Sequence, residues 1–121
     1  MPCACEQLPE LFFIDEAPQR WRDSLVQEDG RRWKMLRRCP SCDRHYSIDV
    51  FDKFQDQVVV RVLNLACWEE EADSINPRKN LLLRSRGGTT SESCMWAGCS
   101  RSRVRGVAYC IDHLWDAGTR R

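Results

Sequence analysis

Seven of the eight cysteines in this 121-residue chain fall into close groups. They are Cys3-x-Cys5, Cys39-x2-Cys42, Cys94-x4-Cys99 and Cys110, which pairs with a histidine as Cys110-x2-His113. Side chains spaced this closely bite one metal ion from two directions, and four such pairs make two tetrahedral sites. A chain of this length builds only a modest hydrophobic core, so metal cross-links are a natural supplement.

The N-terminal residues Met1-Pro2-Cys3-Ala4-Cys5-Glu6 show no basic region followed by an apolar stretch, and no apolar run approaches the roughly 20 residues of a membrane span. The expectation is a cytoplasmic protein with no membrane contact, whose cysteines stay reduced and hold zinc rather than form disulfides. Hydrophobic residues make up 42% and charged residues 31%, a folded rather than disordered composition. The formal charge of +1 becomes −2 once seven thiolates and two Zn2+ ions are counted (+1 − 7 + 4). That excludes a uniformly basic polyanion binder. The charge is uneven: residues 1–75 carry ten Lys/Arg and fifteen Asp/Glu, a sum of −5, and residues 76–121 carry nine and three, a sum of +6.

The expected fold class is α+β, a small antiparallel sheet followed by a C-terminal metal module. Leu8, Leu11, Phe12 and Ile14 form an apolar cluster, and Pro18 opens a short helix that places Trp21 and Leu25 on one face and ends at Gly30. Residues 33–38 and His45–Phe51 read as two strands joined at the Cys39–Cys42 turn. The β-branched run 57–65 supplies a third. Residues 68–86 turn helical, with a start at Asn76-Pro77, an apolar face of Leu81, Leu82 and Leu83, and a stop at Gly87-Gly88. The composition predicts a first domain over 1–86, a linker over 87–93 and a metal module over 94–121.

Within the last, residues 100–109 are expected to form a hairpin turning near Arg105-Gly106, followed by a helix whose first turn carries Cys110 and His113 and which ends at Gly118. This knuckle, hairpin and helix resembles a treble-clef zinc finger, which implies the ligand set Cys94, Cys99, Cys110 and His113. Cys39-Pro40-Ser41-Cys42 resembles the rubredoxin-type knuckle of zinc ribbons. Zinc ribbons usually place Gly after the second Cys; here Asp43 stands there, a residue that tolerates positive φ. Cys3 and Cys5, two apart on extended chain, share a face and complete this site, with Cys67 or His45 as alternatives for one of them. Both sites use four protein ligands, so neither leaves a coordination position for water or substrate.

No phosphate loop, nucleophile elbow or His-Glu-x-x-His motif is present, and Cys67 with His45 has no spacing that makes a nucleophile and base. Asp112-His113 resembles the Asp-His pair of zinc-finger-like nucleases, but His113 is assigned to the metal. The expectation is a non-enzymatic protein with no small-molecule substrate that binds another protein, as an adaptor, a complex subunit or an inhibitor of the toxin-immunity type. Five tryptophans motivate this. Trp33 and Trp96 are expected to pack against the metal motifs. Trp21, Trp68 and Trp115 are the candidates for surface anchoring, with core packing as their commoner role. The alternative is nucleic-acid binding through the basic C-terminal half, where Arg101, Arg103 and Arg105 alternate and Arg84, Arg86, Arg120 and Arg121 extend the surface.

Overall fold

The computed structural model of the chain describes residues 3–50 and 57–121; Phe51, the expected end of one strand, lies outside them. The chain divides into two compact units, Met1–Ser74 and Ile75–Arg121. The division falls before the helix that composition placed in the first domain. Residues 87–93, read as a linker, carry a paired strand.

The first unit is a five-stranded antiparallel sheet of strands β1 (Leu11–Phe13), β2 (Val26–Arg31), β3 (Lys34–Arg38), β4 (His45–Asp49) and β5 (Val58–Val62), in the order β1-β5-β4-β3-β2. The three inner strands are those the β-branched and alternating runs predicted. The outer two were not expected. The apolar cluster supplies β1, whose Phe12 stands opposite Val59. The helix predicted to run to Gly30 stops early. Helix α1 spans Gln19–Ser24, Leu25 turns extended, and Val26–Arg31 pairs with β3 with Gly30 opposite Met35. β1 takes its partner from β5, far along the chain, and β2, though it pairs with the very next strand, is exposed along most of its length, so no apolar alternation marks it.

Two layers cover the sheet. On one face Phe12, Tyr46, Ile48 and Val59 pack with Trp21 of α1 and with Cys5 and Cys39. Trp21 meets Tyr46 edge-on at 5.1 Å between ring centroids and Phe12 at 5.7 Å. On the other face Leu36 and Val62 pack against Trp68, the first residue of helix α2 (Trp68–Ala72). Glu69 and Glu71 of α2 are not simply solvated: Glu71 accepts the Leu63 and Asn64 backbone N–H groups, and Glu69 pairs with Arg31 at 3.3 Å. Trp21 and Trp68 are each 3% exposed, so they are core and not surface anchors.

The second unit holds helix α3 (Ile75–Ser85), strands β6 (Thr89–Ser93) and β7 (Ser102–Val104), and helix α4 (Ile111–Asp116). Pro77 lies in the first turn of α3, where its missing N–H has no helical partner to lose. The helix ends in a Schellman motif: Gly88 N–H bonds Leu83 C=O at 3.0 Å and Gly87 N–H bonds Arg84 C=O at 3.1 Å, with Gly87 at φ +89. Strands β6 and β7 make an antiparallel hairpin. The paired strands therefore flank the 94–101 loop; the expected turn-back at Arg105-Gly106 is present, closed by Val107 N–H to Val104 C=O and Val104 N–H to Tyr109 C=O, but no strand follows it. Leu82, Val104 and Leu114 form the buried centre. Among the described residues no helix is long and apolar enough to cross a membrane.

Leu82 is fully buried in this small centre, and truncating such a leucine removes its contacts and leaves a void. Leu82→Ala is expected to cost roughly 2–5 kcal/mol of stability in urea unfolding followed by circular dichroism; a loss below about 1 kcal/mol contradicts this core.

Candidate metal centres

The turn between β3 and β4 is built to present two thiols. Cys39 N–H bonds Arg44 C=O at 2.9 Å and Asp43 N–H bonds Cys39 C=O at 2.8 Å, closing a narrow loop. Closure requires a left-handed residue after the second cysteine, and Asp43 takes it at φ +63. The Asp43 carboxylate meets Arg38 at 3.0 Å, which ties the loop back to β3. The 3-10 turn Ala4–Gln7 brings the N-terminal segment over this loop. As a result the sulfurs of Cys3, Cys5, Cys39 and Cys42 lie within 4.8 Å of one another. Cys67 and His45 belong to neither cluster found among the described residues, so the alternatives for Cys3 and Cys5 are not what the fold assembles.

The surroundings of this cluster act on two of its thiols in opposite directions. Trp21 donates its indole Nε1–H to Cys5 Sγ at 3.1 Å inside the core. Burial, helped by contacts with Cys39 and Cys42 and opposed only in part by hydrogen bonds from Tyr46 and Trp21, pushes the Cys5 thiol up to about 12. Cys42 moves the other way. Burial raises it, but hydrogen bonds from the Arg44 backbone and guanidinium and from Cys3 and Cys5 outweigh that and bring it down to about 7. A buried thiol poised against a ready thiolate is the state that a divalent cation completes, because the cation supplies the charge that burial withholds. Trp21 carries no local mark of this donor role; α1 packing over the sheet creates it.

The second cluster joins the loop after β6 to the start of α4. Cys94 follows β6, Cys99 closes the loop, Cys110 caps α4 and His113 stands in its first turn. His113 Nδ1 lies 3.4 Å from Cys94 Sγ and 3.3 Å from Cys110 Sγ, and Cys99 Sγ is 3.9 Å from Cys110 Sγ. For Zn–S near 2.3 Å and Zn–N near 2.0 Å, a tetrahedron has S–S edges of about 3.8 Å and S–N edges of about 3.5 Å. The cluster therefore has the dimensions of a filled tetrahedral shell, far from the ~2.05 Å of a disulfide. Burial raises the Cys94 thiol, but the Trp96 and Cys110 backbone N–H groups, His113 and Cys99 outweigh it and lower it to about 6. Helix α4 ends as expected at Gly118, in a second Schellman pattern: Thr119 N–H to Leu114 C=O and Gly118 N–H to Trp115 C=O.

Both clusters can hold a metal ion. Each would use four protein donors, a closed shell that leaves no position for substrate. Asp112 is occupied by ion pairs to Lys79 at 3.0 Å and to Arg101, so it does not form a dyad with His113.

The tryptophans beside the clusters differ from expectation. Trp33 does not pack on the knuckle: it is 85% exposed on the turn between β2 and β3. Trp96 does touch the second cluster, its ring stacked on His113 at 4.7 Å and 15° between planes, yet it is 54% exposed. Trp115 lies under the Arg120 guanidinium, 3.7 Å from the ring centroid. No protein-family model, curated protein or solved structure matches this chain.

Native mass spectrometry of the metal-bound chain is expected to show two divalent ions. Cys42→Ser and Cys94→Ser should each remove one, while Cys67→Ser keeps both. Loss of an ion from Cys67→Ser contradicts the two ligand sets.

Proposed function

We propose that this chain is a zinc-stabilised, non-catalytic protein-binding module whose contact is centred on the Arg32-Trp33 turn. The observation that carries the reading is the conformation of that turn. Arg31 and Lys34 pair across β2 and β3, leaving Arg32 and Trp33 as a two-residue loop with φ +51 and +64. Both central residues are left-handed, the type I′ geometry that Asn-Gly fills without strain. A non-glycine residue there costs roughly 1–2 kcal/mol, and a bulky aromatic is an outlier. Leaving an indole 85% in water recovers none of that cost. Strained residues of this kind cluster at functional sites. Arg and Trp are also the side chains most enriched at binding hot spots.

The turn stands on a braced hairpin. Arg38 pairs with Glu28 at 2.6 Å across the strands, Arg37 bonds Gln27 at 3.2 Å, and Lys34 pairs with Asp73 beyond α2. A rigid support lowers the entropy lost when Trp33 enters a pocket. The partner implied is a protein offering an apolar pocket for the indole and a carboxylate for Arg32. Adaptor, complex subunit and inhibitor all satisfy that description.

Zinc is the proposed ion at both sites because sets of four thiolates, and of three thiolates with one imidazole, suit its softness and tetrahedral preference. A reducing compartment such as the cytoplasm keeps the thiolates available. The Cys39–Cys42 turn fits a zinc-ribbon kinship, and the Cys94–His113 arrangement fits a treble-clef kinship.

Trp33→Gly separates the two roles of the residue. It is expected to raise the urea midpoint, with a gain of about 1 kcal/mol from relieved strain, and to abolish capture of the partner identified by mass spectrometry from native lysate with the parent chain as bait. A Trp33→Gly chain that captures the same partner as efficiently overturns the proposal.

A further inference from the structure

The exposed Trp96 lies in a unit whose charge differs sharply from the first. Residues 75–121 carry nine Lys/Arg and three Asp/Glu, a sum of +6; three thiolates and one Zn2+ leave it at +5. Trp96 is fixed at the edge of this field. Its backbone N–H points at Cys94 Sγ at 3.5 Å, its carbonyl accepts Cys99 N–H at 3.0 Å, and its ring is held by the His113 stack and an edge contact with Tyr109 at 6.1 Å. His113 covers one face of the indole, and with 54% of the residue exposed the opposite face is open to solvent. Met95 beside it is 68% exposed. Arg101 is bonded through its carbonyl to Cys94 N–H at 2.7 Å, and Arg103 Nε bonds Ser93 C=O at 3.0 Å. The Arg103 guanidinium therefore lies at the end of β6, and the Arg101 backbone is bonded at the start of the loop that carries Met95 and Trp96.

We infer that the second unit binds single-stranded nucleic acid, with a base stacked on the open face of Trp96 and backbone phosphates met by Arg101 and Arg103 within the net positive field of the unit. A rigid aromatic platform beside arginines is the arrangement that takes an unpaired base, since every base offers a π-face and each phosphate a charge. The chemistry disfavours the other ligands an exposed indole attracts. A cationic ligand meets a field of its own sign. A duplex keeps its base faces inside its own stack, out of reach of the ring. Salt bridges from Arg101 to Asp112 and from Arg103 to Glu92 orient the cations without removing the excess. The second metal ion enters as the organiser of the platform, because the loop and the ring beneath Trp96 are built from its ligands. The inference is independent of Trp33.

The test is fluorescence anisotropy of the full, zinc-bound chain with a labelled 12-nucleotide thymidine strand and with a duplex of equal length. At 50 mM salt the single strand is expected to bind at micromolar concentration and more tightly than the duplex. Raising salt to 200 mM should weaken it roughly tenfold, as release of counterions from a few phosphates requires. Trp96→Ala should weaken binding at least fivefold while Trp96→Phe retains most of it, and Trp33→Gly should leave it unchanged. Arg101→Gln, which spares the platform, should lower the salt slope by roughly one. Absence of binding up to 100 μM, equal affinity for the duplex, or a Trp96→Ala chain that keeps both ions and binds like the parent overturns the inference. If Trp96→Ala loses its ion, Arg101→Gln decides, and an unchanged salt slope is then the contrary result.

Discussion

Four thiol sulfurs gathered within 4.8 Å repel one another as thiolates and waste buried polar volume as thiols. A divalent cation at the centre resolves both problems, and the rest of the first unit follows from it. An ion held there would tie the Cys3–Cys5 segment to the turn between β3 and β4, two stretches separated by more than thirty residues. Once tied, the N-terminal segment and α1 are held over one sheet face, where Trp21 closes the core and gives its indole N–H to Cys5. The four-cysteine cluster is thus a part of the hydrophobic core rather than an ornament on its surface. Cys5 and Cys39 are as buried as the aromatic residues around them.

The second unit solves the same problem on a shorter stretch of chain. Its donors come from one loop and one helix start, separated by the β7 strand and a tight turn. Its apolar centre is small, chiefly Leu82, Val104 and Leu114. A unit of fewer than fifty residues has little surface to bury, so an internal cross-link supplies what the core does not. The two units share this device and differ in everything displayed around it: an acidic body carrying a strained Arg-Trp turn in one, a basic body carrying a stacked indole in the other.

The parts legible in the sequence are those written by local spacing. Cys39-x2-Cys42 between two strand-like runs specifies a knuckle, and Asp43 takes the left-handed position that the missing glycine would fill. Cys110-x2-His113 after a turn specifies two donors at a helix start, and Gly118 its end. The parts that were not legible lack a local apolar period. Strand β2 resembles a polar loop or a helix end until it meets β3, and β1 is three residues with no period of their own. The five tryptophans were sorted least well. Trp21 and Trp68 share the helical context of surface candidates, and only their docking on opposite faces of the sheet buries them. Trp33 sits six residues before a metal knuckle, yet a two-residue turn directs it away. Exposure of an aromatic is a property of the assembled surface, and the strain at Trp33 appears only as a backbone angle.

Two closed shells, with seven sulfurs and one nitrogen between them, would hold the two ions. Zinc K-edge X-ray absorption of the purified chain measures that shell directly. The predicted result is an average first shell of 3.5 sulfur and 0.5 nitrogen atoms per zinc, the mean of the two donor sets, with Zn–S near 2.3 Å and no oxygen neighbour. A first shell with two or fewer sulfurs, or with oxygen at about 2.0 Å, contradicts it.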